Sequence, residues 1–144
     1  MAFIVSVCLK RFGILIKFDC KISLVLEQSF SKSERLCHVK VIERLFDRKN
    51  AENRSKSAYP ILMIYQAEST ISRPPKALFS VPKRKFKRAV DRNLLKRRLK
   101  EAYRLHKNQL SSNQDLNIAF LYTAKDILDY QRIESSMKRL ISEI

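Results

Sequence analysis

The apolar positions of this chain recur with two periods. Leu36, Val39, Ile42, Leu45 and Phe46 stand at helical spacing. So do Leu95, Leu99, Ala102 and His106, and so do Tyr130, Ile133, Met137, Leu140 and Ile141. Spacings of three and four place side chains on one helix face, whereas alternation places them on one strand face. Tyr59 to Gln66 is apolar at nearly every position and predicts a strand buried on both faces, with Pro60 fitting only its start because proline has no N–H for the ladder. Lys76 to Val81 predicts a second strand. Asp115 to Tyr122 alternates Leu116, Ile118, Phe120 and Tyr122 and predicts a third with one well-buried face. The resulting order is helix, strand, strand, helix, strand, helix. It implies an α+β fold, a two-layer α/β sandwich in which two helices cover one sheet face.

Boundaries follow from polar punctuation. Ser31 and Glu34 have capping-box spacing, so the first helix is expected to open within Phe30 to Glu34, with Ser33 as the other candidate cap. Arg35, Lys40, Arg44 and Arg48 occupy the rest of its surface. Asn50 to Ser57 is polar and reads as a loop, Glu68 to Pro75 as a connection, and Gln109 to Gln114 as another loop. The middle helix should run from about Ala89 to near Asn108, and Asp126 or Asp129 should start the last. Met1 to Leu26 is apolar but broken by Lys10, Arg11, Lys17, Asp19 and Lys21, and its apolar part precedes the charge, the reverse of a secretory signal. Residues 1–27 are therefore expected to be an extension outside a single domain of residues 28–144 and dispensable for binding. That extension reflects either an upstream start codon or a short added strand pair.

Charge narrows the picture. Thirty basic against fourteen acidic residues give +16, which points to nucleic acid or an anionic membrane surface. No apolar run reaches the roughly 18 residues that would span a bilayer. The single glycine, Gly13, excludes Gly-rich phosphate loops. Three cysteines, Cys8, Cys20 and Cys37, are odd in number and lack metal spacing, as expected in a reducing cytoplasm. Cys37-His38 has no second pair and reads as packing rather than a metal site.

The charge is concentrated in Lys83 to Arg104, where eleven residues are Lys or Arg and only Asp91 and Glu101 are acidic. At about 100° per residue, Leu95, Leu99, Ala102 and His106 fall on one side. Asn93, Lys96, Arg97, Lys100, Arg104 and Lys107 fall on another. Lys83, Arg84, Lys85, Lys87 and Arg88 extend the charge into the preceding loop. A charge run is usually a solvated face, but neighbouring cations of one sign repel unless a polyanion relieves them. This stretch is expected to bind phosphates.

The same residues carry a resemblance. Ser80-Val81-Pro82-Lys83-Arg84, then Ala89-Val90-Asp91-Arg92-Asn93-Leu94-Leu95-Lys96-Arg97, then Arg98 to Arg104, resembles the signature of the bacterial ribonuclease P protein subunit family: a Ser-Val-x-Lys-Lys/Arg loop before an Arg-Asn-Arg-x-Lys-Arg helix. The chain departs at Leu94, where the family usually has Arg, and at Phe86, near a usual Gly. The resemblance extends more weakly from about Phe30 to the end. It implies a left-handed strand–helix–strand crossover (the ribosomal protein S5 domain 2-like fold), where general rules give a right-handed one. It implies RNA binding by Lys83, Arg84, Lys85, Lys87, Arg88, Arg92, Asn93, Lys96, Arg97, Arg98, Lys100 and Arg104. It also implies a cleft over the 5′ leader of precursor tRNA, with Ile42 and Phe46 as candidates. On residue chemistry alone Phe46 also reads as core, and Tyr65 as either core or a platform for a base, which makes Tyr65 the third candidate for the leader cleft.

No catalytic set is legible. His38 and His106 are the only histidines, His106 sits on the apolar side as a core histidine would, and the carboxylates are scattered without a metal-binding trio. No catalytic or metal-ligating residue is expected in the protein. The resemblance implies that the RNA subunit of ribonuclease P carries catalysis with magnesium, bound mainly by that RNA. It further implies that the protein assists, with the catalytic RNA and precursor tRNA as partners, no membrane and no obligate protein partner. A structural rRNA-binding protein of the ribosome fits the composition equally. A helix-turn-helix DNA binder fits worst, because the basic helix lies between strands without a short-turn partner.

Overall fold

The computed structural model describes residues 29–68, 75–110 and 115–144. The expected extension, residues 1–27, lies outside them. The described elements are α1 (Val39–Phe46), β1 (Arg54–Ala58), β2 (Ile61–Glu68), β3 (Lys76–Ser80), α2 (Ala89–His106) with a 3-10 turn at Lys107–Gln109, β4 (Asp115–Tyr122) and α3 (Tyr130–Ser142). The strands form one sheet in the order β1-β2-β4-β3. β1 and β2 form an antiparallel hairpin around Tyr59-Pro60, a cis bond, and β4 runs antiparallel to β2 but parallel to β3. α2 is the crossover between parallel neighbours β3 and β4.

The main core lies between the sheet and the pair α2 and α3, as the two-helix layer requires. Ile61 and Met63 of β2, Leu116, Ile118, Phe120 and Tyr122 of β4, Leu95 and Leu99 of α2, and Ile133, Met137 and Leu140 of α3 are all buried. Burying one such side chain is worth about 1.5–3 kcal/mol, so this layer fixes the rotation of α2. Aromatic edges close one end: Phe79 lies 5.6 Å from the rings of both Phe30 and Tyr103. Burial, with Glu34 nearby, pushes the Tyr103 phenol well above its usual range.

Three expectations are corrected. The second half of the expected loop Asn50 to Ser57 is instead an added strand, β1 (Arg54–Ala58). It is a sheet edge with Ser55 and Ser57 exposed, so no apolar alternation marks it. Secondly, the first helix begins at Val39 rather than near Ser31. Glu34 does accept the Ser31 N–H (3.2 Å), half of the capping box, but around a turn. The next residues run beside β3 instead, with Leu36 N–H on the Ala77 carbonyl (3.1 Å) and Ala77 N–H on that of Glu34 (2.8 Å). Thirdly, β4 is buried on both faces, since Asn117 and Ala119 are buried opposite the main core. α1 and the segment before it cover part of that second face, packing Leu45 and Leu36 on Ala119, with Ile42, Ile64, Leu78 and Leu121 half-buried around them.

Candidate nucleic-acid interface

The basic stretch is held rigidly where it leaves β3. The Pro82 carbonyl accepts the N–H groups of Lys85 and Phe86, each at 3.2 Å. Phe86 is buried, its ring 5.8 Å from that of Tyr122. Arg92 reaches back with one guanidinium nitrogen to the carbonyls of Phe86 (2.8 Å) and Lys87 (2.6 Å). Arg88 occupies the N-cap of α2 without a side-chain cap bond, and Asp91 is the only acid in the first turn. Helix N-termini present unpaired N–H groups and a positive dipole end, which ordinarily favours acidic residues there. Cations placed there oppose helix stability and concentrate a field suited to phosphate.

Leu95, Leu99, Ala102 and Tyr103 face the core. That rotation leaves Asn93, Arg97 and Lys100 exposed and Lys96 half-buried. Among the described residues, the side chains of Lys83, Arg84, Lys87, Arg88, Lys96, Arg97 and Lys100 have neither ion-pair nor hydrogen-bond partner. The structure brings these cations together on the loop and the first turns of the helix. The other expected RNA-binding residues are partly committed. Lys85 donates to the Thr123 carbonyl. Arg98 donates to the Leu128 carbonyl at 2.6 Å. Arg104 makes a two-pronged bond to Glu101 (2.9 and 2.7 Å), which holds the Glu101 carboxyl below its ordinary range. Lys107 turns inward to the Glu34 carboxylate and the Ser29 carbonyl, both at 2.6 Å. His106 is half-buried, its Nε2 3.2 Å from Glu134 on α3.

The leader-cleft candidates separate. Ile42 packs on the α1 face of the sheet. Phe46, at the end of α1, is 38% exposed and so is not core. It lines a pocket of about 230 Å³ with Arg48, Asn53, Arg54 and Ile64. Asn53 donates to the carbonyls of Arg44 (2.7 Å) and Asp47 (2.9 Å), while its Oδ1 is buried without a partner. An unpaired buried acceptor costs about 1–3 kcal/mol. Asn53, Arg48 and Arg54 carried no sequence signal, because they come from the loop and strand edge beyond α1. Tyr65 is not brought to this pocket. It alternates with Ile64, packs toward the main core and borders a separate pocket with Glu52, Leu116 and Ile144.

Residues 30–144 match the Ribonuclease P family. The ribonuclease P protein component of Porphyromonas gingivalis is 32% identical over 120 residues, covering 79% of this chain and 85% of that protein. That of Vibrio cholerae is 31% identical over 99 residues, covering 69% and 78%. The chain belongs to the ribonuclease P protein component family. The fold agrees: the RNase P protein from Thermotoga maritima superposes with a TM-score of 0.63 at 18% identity, covering 77% of this chain and 97% of that one. Its role is that of an RNA-binding subunit of ribonuclease P, a ribonucleoprotein endoribonuclease of tRNA processing, and not of a structural ribosomal protein. Within this family the two departures find physical places. Leu94 is exposed on α2 beside the cations, one turn from exposed Val90, so the substitution removes a surface charge and leaves the core untouched. Phe86 fills the space against Tyr122.

Proposed function

We propose that this subunit binds the catalytic RNA of ribonuclease P through the cations of Lys83–Lys100 and the 5′ leader of precursor tRNA through the α1 face, and that it assists endonucleolytic removal of the leader. The observation that carries the reading is the set of seven cations without partners on one loop and helix face. Each can neutralise a phosphate and release a counterion. Ile42 and Phe46 are the candidate leader cleft, with Phe46 standing in a pocket beside the exposed Arg48 and Arg54. Tyr65 belongs to the other sheet face and is left out of it.

The active site is assigned to the RNA. Among the described residues no three His, Cys, Asp or Glu side chains gather as metal ligands. His106 is engaged with Glu134, and His38 is exposed ahead of α1. These carboxylates do not fit a protein magnesium cage, which takes a near-octahedral set of oxygens. Magnesium would therefore be held mainly by the RNA, and the protein's residues position phosphates and leader. No described helix is long and apolar enough to cross a membrane. The proposed setting is the cytoplasm, with no obligate protein partner.

Single-turnover cleavage tests this reading with protein alone, catalytic RNA alone and both together, over a series of leader lengths. Nuclease-treated protein should cleave nothing, and the complex should gain most on long leaders. Phe46→Ala should lose that leader-dependent gain while folding normally, since Phe46 is exposed. Cleavage by the protein alone would place an active site in this chain. Equal stimulation at every length would remove Ile42 and Phe46 from the leader site.

A further inference from the structure

Because β3 and β4 are parallel neighbours paired as far as Ser80 and Leu121, the turns that follow them leave the same sheet edge side by side. The first carries Arg84 and Lys85 into α2. The second, Thr123 to Asp129, leads into α3 and bears Lys125. Arg84, Lys85 and Lys125 together line an open pocket of about 470 Å³ between the turns. Both walls are fixed. The Lys85 ammonium donates to the Thr123 carbonyl and ties one turn to the other. Thr123 N–H and Oγ1–H both donate to the Pro60 carbonyl at 2.8 Å. Tyr122 Oη donates to the Asp126 carbonyl (2.8 Å) and accepts the Leu128 N–H (3.1 Å). Arg84 and Lys125 are exposed, without hydrogen-bond or ion-pair partners among the described residues. Asp126 and Asp129 are the acidic residues within the second turn, and neither lines the pocket.

We infer that this notch holds a backbone phosphate of the RNA partner, and that Lys125, which lies outside the basic loop and helix, is one of the residues that grip it. The inference rests on the RNA-binding reading above and extends it to a residue that no basic run in the sequence marks. Three cations and no carboxylate line the notch, so an anion is the complementary ligand. The walls are already ordered, so binding loses little loop entropy. The guanidinium of Arg84 offers a planar fork and the two ammonium groups offer point charges, a combination suited to phosphate oxygens. The notch is continuous along the chain with Lys83, Lys87 and Arg88, so one polyanion can run across all of them.

The phosphate belongs to either the catalytic RNA or the precursor tRNA, and two binding measurements separate these sources. One titrates the full-length protein against transcribed catalytic RNA. The other titrates the preformed RNA–protein complex against precursor tRNA. Each is repeated over a range of KCl concentrations with Lys125→Gln, Arg84→Gln and Lys125→Arg. Each Gln variant should lower the slope of log K against log salt by about 1 in one of the two measurements, and Lys125→Arg should keep it. Melting temperatures should match the parent, because both side chains are exposed. An unchanged slope for Lys125→Gln in both measurements, alongside a flattened slope for a Lys96, Arg97 and Lys100 triple variant, overturns the notch and leaves the RNA-binding face standing. Unchanged slopes for all of these variants remove the face and the notch together.

Discussion

The two ends of the basic stretch carry the same residue types and do different work. From Lys83 to Lys100 most cations point to solvent without partners, supported by a few, Arg92 and Arg98 among them, whose guanidinium groups are tied to carbonyls. From Arg104 to Lys107 the basic side chains are engaged with the protein: Arg104 with Glu101, His106 with Glu134, Lys107 with Glu34 and Ser29. The difference lies in what packs nearby. At the C-terminal end the segment before α1 and the last helix bring carboxylates within reach. At the N-terminal end the neighbouring turns bring carbonyls and a further lysine instead. Positive charge in the sequence therefore marks a region, and the supply of nearby acceptors decides which part of it remains open to RNA.

The buried side of α2 should respond most strongly to substitution. Leu99→Ala should lower folding stability by about 2–5 kcal/mol, because Leu99 is fully buried between sheet and α3. Denaturant unfolding measures this, and the folded fraction should still bind RNA with the parental salt slope. A loss below about 1 kcal/mol would mean that the helix is rotated differently.

Next in size is the open face. Replacing Lys96, Arg97 and Lys100 together by Gln should flatten the salt dependence of catalytic-RNA binding by about 2 to 3 in slope, with little change in melting temperature. A parental slope would show that these residues are solvated and idle.

The smallest effect is expected at the committed end. Lys107→Ala leaves the half-buried Glu34 carboxylate without its ammonium, whose side chain is 11% exposed. Stability should fall by about 1–3 kcal/mol, while the RNA salt slope stays unchanged. A slope loss of about 1 with unchanged stability would instead make Lys107 a phosphate contact and erase the contrast between the two ends.

Other expectations divide along the same physical line. β4 spans Asp115–Tyr122, where the alternation had placed a strand, because one face must be buried and a register slip would expose it. α2 begins at Ala89 and α3 at Tyr130 after Asp129, close to their sequence boundaries. β1 was invisible because an edge strand needs a pairing partner rather than an apolar pattern. The late start of α1 was hidden because the Ser31–Glu34 cap chemistry serves a turn equally well once Leu36 pairs with β3. Tyr65 and Phe46 looked alike as aromatic candidates. Strand parity sends Tyr65 to the main core, and the end of α1 leaves Phe46 exposed.

The sequence by itself determined the apolar stripe and cationic face of α2, the central strand, the last helix and, through the loop-and-helix motif, the family. These are local properties, set by periodicity and by residue types a few positions apart. Only the tertiary structure decided which cations are free, because an acceptor such as Glu34 reaches Lys107 across 73 positions of chain. It likewise decided that Ile42 and Phe46 share a sheet face from which Tyr65 is excluded. And it placed Lys125 beside Arg84, since parallel neighbouring strands end at one edge however far apart they lie in sequence.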